Sequence, residues 1–144
     1  MRAPSTRLVV DASVLIASVF GRSRGAIVVA QRACSLVTTE LVLHEATRRI
    51  ALGLKRPDLI GLLDELAASI TIVPVAMLEP LIARCETALR EAVASRNGST
   101  RDAHVLALAW SIDADIWTSD RDFAGTGVAT WSTPNLMRAL AEAA

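Results

Sequence analysis

The stretch RLVVDASVLIASVF, residues 7–20, changes character at Asp11. Leu8, Val9 and Val10 form a short, largely β-branched apolar run that suits a buried strand, and Asp11 ends it. The residues after it, Ser13 to Phe20, are apolar enough for an inner helix, and GRSRG (Gly21–Gly25) breaks that helix. A buried strand, an acidic turn and a buried helix are the first half of a strand–helix–strand unit, so the question is whether the alternation repeats.

It does. AIVVAQRA (26–33) reads as a second helix and Ser35–Thr38 as a second strand. From Thr39 to about Leu54 the pattern is helical, with Leu41, Val42, Glu45, Arg48, Arg49 and Leu52 at spacings of three and four. Pro57 opens PDLIGLLDELAAS, and Ser69–Val75 is a third strand. A helix is expected from Met77 towards Arg96, stopped by Asn97 and Gly98. Ser99 or Thr100 then caps DAHVLALAWSI, apolar on most sides and so central. ADIWTS is a fourth strand, GVATW a fifth, and Thr133–Ala144 a closing helix. This alternation predicts an α/β three-layer sandwich: a central, mostly parallel five-stranded sheet with helices on both faces.

The chain has 144 residues, which suits one domain spanning 1–144. It is 52% hydrophobic with a mean hydropathy of +0.41, yet no apolar run reaches the ~18 residues of a membrane span. The N-terminal segment lacks the apolar core of a secretory signal, so a cytoplasmic protein is expected. Cys34 and Cys85 are far apart without metal-type spacing, and read as reduced thiols packed as small apolar groups. Fifteen basic and fifteen acidic residues cancel, so no global basic field announces a polyanionic partner. All the basic residues but Lys55 are Arg, whose planar fork suits phosphate but serves equally as solvated surface charge.

In an open parallel sheet, ligands collect beyond the carboxyl ends of the strands. Asp11 ends the first strand and Asp120 follows the fourth, so both fall at that edge. Each has a structural reading too: Asp11 as a helix N-cap, Asp120 and Asp122 as turn residues, Glu45 as an i,i+4 partner of Arg49, and Asp102 in a capping box with Ser99. The set carries more than its members. If Asp11, Glu45, Asp102 and Asp120 converge at about 5 Å, each ionised pair repels by roughly 3 kcal/mol at an effective dielectric near 20. Such a pocket needs protons or a cation, and an all-oxygen set suits Mg²⁺ or Mn²⁺ rather than Zn²⁺. Phosphodiester hydrolysis is the chemistry that such an ion serves.

VVDASVLIA around Asp11, TTELVLHEATRRI around Glu45, STRDAHVLALAWSIDADIWTSDRDF around Asp102 and Asp120, and GVATWST after them together resemble PIN-domain ribonucleases, especially VapC-type toxins of toxin–antitoxin pairs. The likeness runs from Leu8 to about Leu136 and ends in T-x-D-x-D-F at Thr118, Asp120, Asp122 and Phe123. It implies a single PIN-like domain whose first and fourth strands are adjacent. It also implies an acidic pocket of Asp11, Glu45, Asp102 and Asp120 with Asp122 as auxiliary metal ligand, and Ser13 and Thr118 as supporting hydroxyls. Further implications are one or two Mg²⁺ or Mn²⁺ ions, internal cleavage of RNA, a homodimer, and a co-encoded antitoxin that blocks the site. Against the family pattern, His104 replaces an apolar residue just after the third acid, and reads as an exposed edge residue, a satisfied buried one or a substrate contact.

Arg22, Arg24 and Arg121, with Arg48 and Arg49, are candidates to line an RNA groove, since phosphate contacts position a nucleic acid. His44 adjoins Glu45 but points about 100° away on a helix, and is left out of the site. Trp110, Trp117 and Trp131 lie in apolar segments and read as core. Asp115, ahead of the fourth strand, reads as turn or surface. The leading function is a metal-dependent endoribonuclease, the toxin of a toxin–antitoxin system. The alternatives are a PIN-like module that binds RNA or protein without cutting, a housekeeping nuclease, or another acidic-pocket phosphotransfer domain. The last is disfavoured by Ser13, which stands where a second Asp would be needed.

Overall fold

A computed structural model of the chain describes residues 2–22, 24–92 and 100–143. Its sheet has five strands: β1 (Arg7–Val10), β2 (Ser35–Thr39), β3 (Thr71–Val73), β4 (Asp115–Trp117) and β5 (Thr130–Trp131). Their spatial order is β3-β2-β1-β4-β5, and every neighbouring pair is parallel. Successive side chains of a strand point to opposite faces, yet Leu8, Val9 and Val10 are all fully buried, so helices cover the sheet on both sides. The three-layer α/β sandwich read from the alternation is the fold observed.

The helices are α1 (Ala12–Val19), α2 (Arg24–Ala33), α3 (Glu40–Arg48), α4 (Ile60–Ala67), α5 (Glu79–Arg90), α6 (Ala103–Ile112) and α7 (Thr133–Ala143). One group packs around α1, with α2, α3 and α4 against it and α7 on α2, whereas α5 lies on α6. Helix α6 also touches β1, β2 and β4, and Ala103 to Ala109 are buried without interruption. Asp113 closes it in the left-handed region at φ 52°, donating its N–H to the Ala109 and Trp110 carbonyls.

Several elements are shorter than expected. The helix read from Thr39 to Leu54 ends at Arg48 and passes into a π turn over Arg49–Gly53. Pro74 halts β3 at Val73, and a 3-10 turn over Val75–Leu78 precedes α5. Helix α5 stops at Arg90 rather than near Arg96, and the Asn97–Gly98 stop lies outside the described residues. The fifth strand is only Thr130–Trp131. The cap assigned to Ser99 or Thr100 is also corrected: Asp102 holds the N-cap position of α6, and Ser99, with the capping box it would form, falls outside the described residues.

Asp115 is the largest revision. It is not a surface turn but the first residue of β4, 4% exposed, and its carboxylate accepts from Arg2 Nη2 (3.0 Å), Ser5 N (3.1 Å) and Trp131 Nε1 (2.9 Å). Opposite Leu8 in register, it ties the N-terminal segment and β5 to the amino end of the sheet, away from the end where Asp11 lies. The tryptophans behave as core: Trp117 is fully buried with its Nε1–H on Thr133 Oγ1 (3.0 Å), Trp131 is buried, and Trp110 packs partly buried against the same cluster. Cys34 and Cys85 are buried and free.

Candidate acidic site

Strands β1 and β4 stay paired to their carboxyl ends, where Asp11 N donates to Trp117 O (3.0 Å). The chain then turns into α1 on one side and the Thr118–Asp122 loop on the other. Asp11 is 4% exposed and caps α1, its Oδ1 accepting from Ala12 N at 2.9 Å. The N-cap reading of Asp11 therefore holds, and so does its position at the strand end.

Its second oxygen faces the loop. Thr118, itself buried, donates to Asp11 Oδ2 at 2.7 Å and accepts from Asp120 N at 3.0 Å. Ser13 Oγ lies 3.4 Å from both Asp11 Oδ2 and Thr118 Oγ1 and accepts from Ser119 N at 3.1 Å. These two hydroxyls lock the start of α1 to the loop that carries Asp120, and they are the pair expected beside the first acid.

The remaining acids arrive from other elements: Glu45 from α3, Asp102 from the N-cap of α6, and Asp120 and Asp122 from the loop after β4. Asp102 makes no side-chain cap bond, and its carboxyl is hydrogen-bonded with Asp122. Burial chiefly lifts the Asp11 carboxyl from 3.8 to about 6; the bonds from Thr118 and Ala12 oppose this, while the charges of Asp120 and Glu45 add to it. Asp102 is lifted to about 7, first by burial, then by Asp11, Asp122 and Glu45, and by a hydrogen bond shared with Asp122. Asp120 is raised by burial and Asp122 and lowered by Arg49. Asp11, Asp102 and Asp120 thus each feel the charge of neighbouring acids.

The oxygens do not converge fully. Among the described residues no three His, Cys, Asp or Glu side chains stand close enough to hold a metal ion as they are. The donor chemistry nonetheless fits a hard divalent cation, since Mg²⁺ keeps several waters and commonly takes only one or two carboxylates from the protein. Asp11 has both oxygens fixed by neutral donors and lies in the field of Asp120 and Glu45, so positive charge there would be favourable.

Beside Glu45 and Asp102 a cleft of about 380 Å³ opens between α3 and α6, lined also by Leu41, His44, Arg48, Arg101 and His104. Leu41, His44, Glu45 and Arg48 form one i, i+3, i+4, i+7 stripe of α3 along this cleft, so His44 lines it beside Glu45. Arg101 was missed because nothing but its place before Asp102 marked it. His104 is the satisfied buried residue among its three readings, with Nδ1 2.8 Å from Thr39 Oγ1. Arg49 lies 3.9 Å from Glu45 as the i,i+4 partner expected. Arg22 and Arg121 are exposed, and the Arg24 side chain lies outside the described residues.

A family model described as PIN domain matches residues 9–141. No sequence among the curated proteins matches. Among solved structures, the fold is similar to VapBC2 from Rickettsia felis bound to a DNA fragment from their promoter (TM-score 0.69, 13% identity, 88% of this chain and 98% of that one). It is similar also to PAE2754 from Pyrobaculum aerophilum (TM-score 0.65, 18% identity, 95% and 96%) and to a toxin–antitoxin complex from Klebsiella pneumoniae (TM-score 0.57, 20% identity, 88% and 97%).

Proposed function

The chain belongs to the PIN domain family, and from that premise we propose that it is a metal-dependent endoribonuclease, the toxin of a toxin–antitoxin pair. The observation that carries this reading is the gathering of acids at the carboxyl end of the sheet, where burial and then neighbouring carboxylates push Asp11 up to about 6 and Asp102 to about 7. A fold tolerates such an arrangement at a cost to stability when a cation or substrate draws on it.

In this reading Asp11, Glu45, Asp102 and Asp120, with Asp122, hold Mg²⁺ or Mn²⁺. When bound, the ion lowers the pKa of an attacking water and offsets negative charge building on the phosphate. The chain's own residues prepare the place. Thr118 and the Ala12 amide fix the rotamer of Asp11, and Ser13 and Thr118 hold the loop so that Asp120 stands next to it. Asp102, raised to about 7, must lose its proton before its carboxylate can take a cation. A binding-only module would draw support from the lack of three converged ligands, but the donor needs of Mg²⁺ answer that point.

The partner assignments are part of the same proposal: an RNA substrate, contacted by arginines such as Arg22, Arg24 and Arg121; a homodimer; a cytoplasmic setting; and a co-encoded antitoxin, as in the toxin–antitoxin complex from Klebsiella pneumoniae. Among the described residues no helix is long and apolar enough to cross a membrane. Val28 and Leu62, 50% and 38% exposed, border an apolar groove at α1, α2 and α4 where an antitoxin's apolar side chains would be buried.

The test is cleavage of a mixed structured-RNA pool by purified, antitoxin-free protein in Mg²⁺, in Mn²⁺ and in EDTA, beside Asp11→Asn. Metal-dependent cuts that the variant loses support the nuclease. Equal cutting by both proteins, or none by either, refutes this assignment of Asp11.

A further inference from the structure

Of the two sides on which RNA can leave the acids, the loop side presents Arg121, and the helix side presents the cleft between α3 and α6. The cleft is the better formed. Its volume, about 380 Å³, falls in the range of about 300–1,000 Å³ typical of small-ligand sites, and it adjoins Glu45 and Asp102 directly. Arg48 stands one turn along α3 from Glu45, and Arg101 immediately precedes Asp102, so a cation flanks each acid. Among the described residues Arg48 takes part in no ion pair; Glu45 is paired with Arg49 instead. The exposed Arg48 guanidinium, which stands beside the Glu45 carboxylate without engaging it, can take a planar anion. Leu41, 44% exposed on the same stripe, gives the cleft an apolar patch of the kind that a base or ribose covers.

We propose that this cleft seats the nucleotide next to the cut in single-stranded RNA, with Arg48 and Arg101 gripping its phosphate and Leu41 against its base. The inference rests on the nuclease reading for its substrate but not for its test. Arg48 and Arg101 are positioning residues: they set the register of the strand across the acids and take no part in the bond broken.

Binding of a fluorescent single-stranded oligoribonucleotide is measured in EDTA over a salt series, for the unaltered chain, Arg48→Gln, Arg101→Gln and, as a distant surface control, Arg138→Gln on α7. Each cleft variant is expected to bind roughly tenfold more weakly, as for the loss of a charge-assisted contact. Each should also make the slope of log K against log salt shallower by about 0.7, one phosphate contact on a single strand. Arg138→Gln keeps the parent affinity and slope. In Mg²⁺ the cleft variants raise KM while kcat stays within about twofold, which a general loss of fold would not do.

Parent-like slopes in both cleft variants, loss that follows Arg22→Gln and Arg121→Gln instead, or no RNA binding by the unaltered chain overturns the proposal. Binding that depends on Arg48 and Arg101 in a chain that never cuts RNA supports the cleft and refutes the nuclease reading alone.

Discussion

Replacing Asp11 by Asn should stabilise the metal-free protein at neutral pH, and the gain should vanish in acid. The carboxyl rises from 3.8 to about 6 in the folded chain. Between those values the folded state holds a proton that the unfolded state has released, so stability is full below about pH 4 and is lost as pH rises through about 6. At 1.36 kcal/mol per unit the loss is about 3 kcal/mol by pH 7.5, a scale that suits a group only 4% exposed. Asn does not titrate. Its amide oxygen can keep the Ala12 bond, while its NH₂ requires Thr118 Oγ1 to turn from donor to acceptor, at a cost of about 1 kcal/mol. The net expectation is a gain of about 1–2 kcal/mol at pH 7.5 and a parent-like or slightly lower stability at pH 4. Urea unfolding followed by circular dichroism in EDTA, at half-unit steps from pH 4 to 8, gives both curves. A difference that stays flat with pH, or a variant less stable than its parent at pH 7.5, would refute the account of Asp11 as a strained carboxylate and leave it as a helix cap alone.

Mg²⁺ should close most of that gap: at free metal tenfold above its Kd, the unaltered chain gains about 1.4 kcal/mol in a thermal-shift series, and Asp11→Asn gains much less. The affinity for Mg²⁺, measured by calorimetry, should fall as pH drops through about 7 and then about 6, because Asp102 and Asp11 must lose protons to bind. Thr118→Val, nearly isosteric, leaves Asp11 Oδ2 and the Asp120 amide short of a partner and should cost about 1–3 kcal/mol in urea unfolding, whereas Thr118→Ser stays near the parent. Asp115→Ala should cost about 2–4 kcal/mol by leaving the Ser5 amide and Trp131 Nε1–H without their acceptor; the folded fraction, counted by native tryptophan fluorescence, keeps its RNA-cutting rate per molecule.

The fold was legible because its signals are local. A β-branched run ending in an acid, then an apolar helix, recurs along the chain, and parallel pairing follows from that alternation. The placement of most of the proposed site residues was legible for a related reason: Asp11 ends β1, Ser13 opens α1, Asp102 precedes α6 and Thr118 and Asp120 follow β4, whereas Glu45 lies within α3. Less legible was whatever depends on packing between distant segments. The cleft between α3 and α6 needs Arg101 to be set against a stripe of α3 more than fifty positions earlier in the chain. Reasoning from neighbours alone separated His44 from Glu45, although both reach that cleft. The short fifth strand has the same origin: Thr130 and Trp131 are held by register with Ile116 and Trp117 rather than by any run of their own.

Asp11 and Asp115 show what such local reading misses and why the site is nevertheless where it is. Both aspartates lie at ends of adjacent parallel strands, and both are 4% exposed. Neither residue type nor burial separates them. Their partners do: Asp115 receives a guanidinium and two N–H groups, from Arg2, Ser5 and Trp131, whereas Asp11 receives one amide and the hydroxyls of Thr118 and Ser13 and lies in the field of Asp120 and Glu45. The fold supplies the first with all the positive charge that a buried carboxylate needs and leaves the second in want of it. A buried acid whose neighbours are other acids is stable only in company with protons or a cation. That asymmetry between two otherwise matched aspartates, rather than the number of acids in any stretch, is what supports placing the proposed site at the carboxyl end of β1.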